Sequence, residues 1–352
     1  MQKININGTN IGKNCPCYTI AEAGANHEGD IKKALNLIDA AKESGVNAIK
    51  FQNYTAAKLT TKTAPKYWDD GIKNESQFDV FDKLDKLSDD EWSQIFDYAR
   101  KKDITCFSTP FDMESVDLLE SLNVPAYKIA SADITHTPLV KKIASKQKPI
   151  FMSTGMASMD EVHDAVSIIQ DEGNEEIIIM HCITSYPTKS EDANLDMIKS
   201  LDLEFPDYII GYSDHTLGTD IASYSVFYGS KCIEKHFTYD KNLSVSRDHR
   251  LSLNSDDFKE LIKKIKLIEM SRGSRARDNF SAESSAVEFA RRSIVSKYDI
   301  PKGTEITENM IDVKRPGTGI LPKYFFKIIG SKTLKDIPED STIQWTDIDF
   351  NQ

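Results

Sequence analysis

Along the chain, short apolar runs alternate with longer stretches in which apolar residues recur every three or four positions. The first pattern predicts strands and the second helices. Tyr18-Thr19-Ile20-Ala21 is a short run ending in Glu22-Ala23-Gly24-Ala25-Asn26-His27. Asp30–Gly45 follows with Ala34, Leu37, Ile38 and Ala41 at helical spacing and a glycine stop. Ala48–Gln52 is the next strand, with Lys50 and Gln52 alternating onto one face. After a long insertion, Asn53–Asp90, come helix Glu91–Lys102, strand Ile104–Phe107, helix Glu114–Leu122 and strand Ala126–Ile129. Helix Pro138–Lys146, strand Pro149–Met152, helix Met159–Glu172, strand Ile177–Met180 and helix Asp192–Leu201 continue the series. Tyr208–Tyr212 and Lys231–Ile233 are the last two strands, separated by the helix-length segment Ile221–Tyr228, and Ser255–Met270 is the closing helix. Eight such strand–helix units imply an α/β chain with a closed, parallel (β/α)8 TIM barrel. An open doubly wound sheet would call for a glycine-rich phosphate fingerprint after the first strand, and Gly24-Ala25-Asn26-His27-Glu28-Gly29 is a poor match.

Beyond the barrel the pattern changes. Ser271–Glu288 is polar and aperiodic, a linker by composition. After it, Asp299-Ile300-Pro301-Lys302-Gly303-Thr304-Glu305-Ile306 is echoed by Asp336-Ile337-Pro338-Glu339-Asp340-Ser341-Thr342-Ile343, with Ile311 and Ile348 in step. Two copies of one small β unit predict a pseudo-symmetric second domain of about sixty residues. Between them, Lys314-Arg315-Pro316-Gly317-Thr318-Gly319 is a basic, turn-forming loop expected at the surface. The expected division is a barrel over 1–270, a linker over 271–288 and a β-rich domain over 289–352. Within the barrel, the insertion Asn53–Asp90 is rich in charge and aromatics (Tyr67, Trp68, Phe78, Phe81), as lids and binding loops are.

The 352 residues carry a net charge of −11, which argues against general nucleic-acid binding. An anionic substrate must therefore be drawn in by a few locally placed Lys and Arg residues. No apolar run approaches the length of a membrane span, and the polar start Met1-Gln2-Lys3-Ile4-Asn5 lacks a signal-peptide core, so no membrane role and a cytoplasmic location are expected. The five cysteines are odd in number and mostly lie in apolar runs, as reduced thiols do.

In a (β/α)8 barrel the C-terminal strand ends form the active face. Glu22, Lys50, Gln52, Thr109, Lys128, Ser131, Asp133, Ser153, Tyr186, Ser213, His215 and His236 project there. His215 and His236 lie at matching positions in consecutive units, where one divalent metal could bridge them. Inward lysines need anionic partners, and a phosphate accepts charge-assisted bonds from Lys50 and Lys128 and ordinary ones from the hydroxyls. The plainer reading has the two lysines paired with Glu22 and Asp133 as internal salt bridges, which leaves the hydroxyls and histidines unexplained.

Taken together, Ala21-Glu22-Ala23-Gly24-Ala25-Asn26-His27, Ile49-Lys50-Phe51-Gln52, Ser108-Thr109-Pro110-Phe111, Lys128-Ile129-Ala130-Ser131 and Ser153-Thr154-Gly155-Met156 form an ordered series. It continues through Tyr186-Pro187-Thr188, Ser213-Asp214-His215-Thr216, Glu234-Lys235-His236-Phe237-Thr238 and Lys314-Arg315-Pro316-Gly317. The whole series resembles the bacterial sialic acid (N-acetylneuraminate) synthases and their relatives that make legionaminic and pseudaminic acids, and the tail resembles their antifreeze-like (SAF) domain. The resemblance implies that Lys50, Thr109, Lys128, Ser131, Ser153 and Ser213 hold phosphoenolpyruvate, and that His215 and His236 bind Mn²⁺, with Mg²⁺ or Co²⁺ as alternatives. It further implies that Glu22, Gln52, Tyr186 and Asp248 meet the acceptor sugar, with Glu22 and Asp133 as candidates for proton transfer. Arg315 would reach from one subunit into its partner's barrel in a domain-swapped homodimer. Two departures lie on the sugar side: the family's Ser-x-Glu reads Ser131-Ala132-Asp133, and its Gly-Pro before the aspartate reads Ser246-Arg247.

Three other functions compete with this one. An aldolase of the neuraminate-lyase type would use Lys128 as a Schiff base to pyruvate. A related synthase would take a sugar phosphate or another amino sugar. A carbohydrate- or ice-binding protein would work through the C-terminal domain alone and leave the histidines idle.

Overall fold

In a computed structural model that describes residues 3–68, 75–243, 245–273, 277 and 281–350, the chain divides into two compact units, Met1–Gly273 and Ser274–Gln352. A two-stranded hairpin, β1 (Lys3–Ile6) and β2 (Thr9–Gly12), precedes the barrel. The barrel strands are β3 (Tyr18–Gly24), β4 (Ala48–Asn53), β5 (Thr105–Pro110), β6 (Tyr127–Ile129), β7 (Ile150–Ser153), β8 (Ile177–Cys182), β9 (Ile209–Asp214) and β10 (Cys232–His236). All pair in parallel and in sequence order, and β10 closes onto β3 with His236 beside Glu22.

Period-two alternation sorts each strand between two environments. Ala21, Ile49, Phe51, Ile129 and Ile233 face outward into the core that packs the helices against the barrel. Tyr18, Ile20, Ala48, Phe107, Phe151, Ile178, Met180 and Cys232 face inward and fill the lower barrel. The polar inward positions come two residues later, as Glu22 after Ile20, Lys50 after Ala48 and Glu234 after Cys232, so these strands change from apolar to polar where they reach the C-terminal face. The surrounding helices carry strong local signals. Asp30 caps helix Ile31–Ser44, whose end is set by Gly45 in the left-handed region at φ 78°. Ser88 and Glu91 form a reciprocal capping box on helix Asp89–Lys101.

The hairpin stands outside the eight strand–helix units, and its own alternation specifies it. Ile4 and Ile6 alternate with polar neighbours, and Asn7 and Gly8 both take positive φ, the geometry a two-residue hairpin turn needs. Ile4, Ile6 and Ile11 are fully buried in the same cluster as Tyr18, Ile20 and Phe107, so the hairpin stoppers the barrel end opposite the polar mouth.

In the second unit β11 (Ser293–Ser296) pairs with β12 (Ile311–Lys314), and β13 (Lys332–Thr333) with β14 (Ile348–Asp349). The two repeat copies meet at Ile300 and Ile337, whose backbones exchange hydrogen bonds of 2.8 and 2.9 Å. Ile294, Ile300, Ile306, Ile311, Ile337, Ile343 and Ile348 form its core. The stretch read as linker, 271–288, is not structureless throughout. The barrel's last helix runs to Arg272, and Ser284–Phe289 is a short helix. Residues 274–276 and 278–280 of that stretch, and 69–74 of the insertion, lie outside the described residues. Among the described residues no helix is long and apolar enough to cross a membrane, and all five cysteines are unpaired.

Candidate active site

The polar mouth is organised around a carboxylate that the sequence reading did not single out. Glu234 lies two residues before His236 on β10, so both side chains enter the barrel together. Lys128 Nζ is 2.8 Å from Glu234 Oε1, Ser213 Oγ donates to the same oxygen at 2.9 Å, and Lys50 Nζ is 3.7 Å from Oε2. Lys50 also contacts Glu22 Oε2 at 2.6 Å and donates to Thr109 Oγ1 at 2.8 Å, while Gln52 Nε2 donates to Glu22 Oε1 at 2.9 Å. The expected Lys50–Glu22 pair is present. Lys128 pairs with Glu234 instead of Asp133, because Asp133 sits in the turn Ser131–Asp133 beyond the strand end, where Oδ2 is buried with no hydrogen-bond partner among the described residues.

All four charged groups are almost fully enclosed: Glu22 is 3 % exposed, Lys50 2 %, Lys128 4 % and Glu234 4 %. The two glutamates titrate in opposite directions. Burial works against the charge on Glu234, but Lys128 and Lys50 outweigh it and hold the carboxyl down at about 2. Burial pushes Glu22 up to about 7, beyond what Lys50 restores, with the Glu234 charge adding to the rise. A carboxyl poised near neutrality beside two ammonium groups can hold or release a proton at working pH. Burial also pushes Asp133 up to about 6.

One wall of the mouth is a cradle of hydroxyls. The Gly155 amide donates to Ser131 Oγ at 3.0 Å, and a Cβ at Gly155 would come within 2.3 Å of Thr184 Oγ1 and 2.8 Å of Ser131 Oγ. Ser153 Oγ and Thr184 Oγ1 are buried without hydrogen-bond partners among the described residues. Two orphaned hydroxyls at a mouth that also holds two lysines fit an oxygen-rich anion.

His215 and His236 stand with ring centroids 5.3 Å apart, and Tyr186 lies 4.2 Å from His215 and 6.1 Å from His236. His215 Nδ1 is 2.8 Å from the Ile183 carbonyl, which can only accept, so Nδ1 carries the proton and Nε2 keeps a lone pair. His236 Nδ1 is buried with no hydrogen-bond partner among the described residues, 3.9 Å from Asp248 Oδ2, and burial holds the ring neutral with its pKa at about 3. A neutral His236 with an orphaned nitrogen, beside a His215 whose Nδ1 is occupied by a carbonyl and whose Nε2 is the nitrogen left to bind, fits a divalent ion. Among the described residues no three His, Cys, Asp or Glu side chains gather closely enough to hold one, so solvent or substrate would complete its shell.

A buried network outside the barrel wall aims both histidines. Lys235 Nζ donates to Asp214 Oδ2 at 2.7 Å and to the Thr216 carbonyl at 2.6 Å. Asp214 also accepts from Tyr212 Oη, Thr216 N and Thr216 Oγ1 at 2.8–3.0 Å. Asp214 precedes His215 and Lys235 precedes His236, so one ion pair ties down both histidine-bearing segments. Trp68 of the insertion stacks on Arg247, with its ring centre 3.8 Å from the guanidinium carbon. Arg315 belongs to the other unit and is exposed there.

The geometry agrees with what comparison finds. Residues 37–277 match the model described as the NeuB family, and residues 291–349 match the SAF domain. An uncharacterized protein of Methanocaldococcus jannaschii is 42 % identical over 348 residues, covering 99 % of both chains. The N,N'-diacetyllegionaminic acid synthase of Campylobacter jejuni is 37 % identical over 330 residues, 92 % of this chain and 98 % of its own. Among solved structures, the N-acetylneuraminic acid (sialic acid) synthetase of Leptospira borgpetersenii, crystallised with citrate, superposes with a TM-score of 0.73 at 32 % identity, over 81 % of this chain and 95 % of that one.

Proposed function

The chain belongs to the NeuB family and is a synthase of the sugar-acid kind, and from that premise we propose that it condenses phosphoenolpyruvate with an open-chain, N-acylated mannosamine-type sugar. The observation that carries this reading is the convergence of Lys50 and Lys128 with Thr109, Ser153 and Ser213 at the same mouth as His215 and His236. The lysines and hydroxyls fix the phosphate and carboxylate of phosphoenolpyruvate. Gln52, Tyr186 and Asp248 hold the acceptor so that its aldehyde carbon faces the methylene carbon. A divalent ion on His215 and His236, Mn²⁺ by preference, supplies Lewis-acid polarisation of the aldehyde oxygen.

The methylene carbon forms a C–C bond to the aldehyde carbon, and the aldehyde oxygen gains a proton. Water adds to C2 of the former phosphoenolpyruvate and gives up a proton. The resulting tetrahedral centre loses inorganic phosphate by C–O cleavage and becomes a ketone. Glu22, titrating near neutrality beside Lys50, and Asp133, with its pKa raised by burial, are the two candidates to hold the proton moved between these steps. The active assembly is a homodimer in which Arg315 of each C-terminal unit reaches the acceptor end of the other subunit's barrel.

The deciding experiment offers phosphoenolpyruvate, Mn²⁺ and a panel of N-acylated aldoses, and follows phosphate release. Release only when an acceptor is present, with the label of [2-¹⁸O]phosphoenolpyruvate leaving in phosphate, supports the synthase. Borohydride trapping of a pyruvate adduct on Lys128 would instead support an aldolase. The pairing of Lys128 with charged Glu234 favours the synthase, since it keeps that amine protonated and unreactive.

A further inference from the structure

Glu28 lies in the loop after β3, on a backbone turned into the left-handed region at φ 51°, and its side chain is only 2 % exposed. Its carboxylate is directed at another loop. Oε1 accepts from the Val245 amide at 2.9 Å, from the Ser246 amide at 3.1 Å and from His249 Nε2 at 3.2 Å, while Oε2 meets Lys33 Nζ. A carboxylate only accepts, so Nε2 carries the His249 proton; the other ring nitrogen sits 2.9 Å from Thr238 Oγ1. Two residues before Glu28, the fully buried Asn26 takes the Ser246 hydroxyl on Oδ1 at 2.7 Å. Its Nδ2 donates to Ser252 Oγ at 3.1 Å and to the Phe237 carbonyl at 2.8 Å. Two side chains of one loop thus fasten both ends of the segment Val245–Ser252 that follows β10.

Asp248 lies within that segment, in the 3-10 turn Arg247–Arg250. Its carbonyl accepts from Ser252 Oγ at 2.6 Å. Its carboxylate has little to steer it. Oδ1 is buried with no hydrogen-bond partner among the described residues, Arg247 Nε lies 3.4 Å from it outside hydrogen-bond geometry, and Oδ2 stands 3.9 Å from His236 Nδ1. A carboxylate so placed is aimed by its backbone, and this backbone is fixed two and three residues earlier, at Ser246 and Val245. Charge-assisted bonds from two consecutive amides hold a loop in one conformation.

We propose that Glu28 is a positioning residue for the condensation: it holds the turn that carries Asp248 so that this carboxylate faces His236 and the acceptor. Glu28 acts through Asp248 and not on the substrate, and His249 and Asn26 complete the fastening. The leverage is large, since misplacing a group by about 1 Å costs on the order of 100-fold in a reaction that depends on alignment. The inference rests on the synthase reading only in taking Asp248 to meet the acceptor.

The test compares the wild type, Glu28→Ala, Glu28→Gln, Asp248→Ala and the Glu28→Ala/Asp248→Ala double variant, with Glu28→Asp replacing Glu28→Ala if the alanine variant does not fold. Amide hydrogen exchange reads the loop. Phosphate release reads the kinetics, with phosphoenolpyruvate, Mn²⁺ and the aldose that the wild type uses best. In Glu28→Ala the Val245 and Ser246 amides should exchange at least about tenfold faster, with those of the barrel helices unchanged. Acceptor KM should rise about tenfold or more while the KM for phosphoenolpyruvate stays within about twofold. Adding Glu28→Ala to Asp248→Ala should change acceptor KM less than about twofold, because the group it aims is already gone. Glu28→Gln keeps an acceptor oxygen for both amides and should return acceptor KM to within about threefold of wild type. Unchanged exchange at Val245 and Ser246, parallel rises in both KM values, or a Glu28→Ala effect as large without Asp248 as with it overturns the assignment. No phosphate release from the wild type, or an acceptor KM indifferent to Asp248→Ala, counts against the synthase reading; exchange at Val245 and Ser246 then decides whether Glu28 holds the turn.

Discussion

A carboxyl group buried against a permanently charged neighbour holds its proton longer than one in water, and Glu22 does so opposite Glu234. Replacing Glu22 with Gln keeps the shape and the amide contact to Gln52 but removes the exchangeable proton. Turnover is expected to fall roughly 100-fold or more while the KM for phosphoenolpyruvate moves less than about threefold. Steady-state phosphate release measures both, and wild-type turnover in the variant would remove Glu22 from the proton path. Asp133 makes a prediction about stability. Its folded pKa is raised to about 6 by burial, above the unfolded value, so its contribution is fully present below about pH 4 and is lost as pH rises through 6. Asp133→Asn should therefore unfold at a higher urea concentration than wild type at pH 8, by up to roughly 2 kcal/mol, and match it at pH 4. An equal difference at both pH values would place the effect elsewhere than in the titration.

At the scale of elements, β9 and β10 matter most because their wall-side ion pair stands behind both imidazoles. Lys235→Met leaves Asp214 buried and uncompensated, which should cost roughly 3 kcal/mol in denaturant unfolding. It should also weaken Mn²⁺ binding roughly tenfold by titration calorimetry, and an unchanged affinity in the folded variant would show that the pair only stabilises. Much of this scale was legible beforehand. Strand alternation placed Lys50, Lys128, Ser213, His215 and His236 at one mouth because period two is a local property of the backbone. The same rule carried Glu234 inward beside His236, but its neighbours in space, Lys50 and Lys128, come from distant strands, and which carboxylate meets which lysine depends on side-chain reach. The hairpin is signalled by Ile4, Ile6 and the Asn7-Gly8 turn, although its strands lie outside the eight-unit alternation that defines the barrel. The stacking of Trp68 on Arg247 joins residues far apart in sequence through an irregular insertion, where no periodicity guides the eye.

At the scale of the whole molecule, the second unit's echo of Asp299–Ile306 in Asp336–Ile343 was readable because each copy turns through the same Ile-Pro backbone, and the copies pair with each other. What that unit contributes to catalysis is a matter for the assembled protein. If Arg315 serves the partner's barrel, Arg315→Ala should raise acceptor KM roughly tenfold or more without unfolding the chain, and Lys128→Ala should be inactive. Mixing the two variants under conditions of subunit exchange should then restore activity, because each mixed dimer contains one intact barrel served by one intact Arg315. Mixtures no more active than the separate variants would mean that each chain serves itself. The hairpin at the barrel's foot has a consequence for traffic. With Ile4, Ile6 and Ile11 corking that end, the chamber is a cup and not a tube. Whatever settles on Lys50 and Lys128 at the bottom must go in before anything rests on Asp248 and Tyr186 nearer the rim, and the last to arrive blocks the exit of the first. Binding in a fixed queue is then a property of the vessel's shape, independent of any change in affinity.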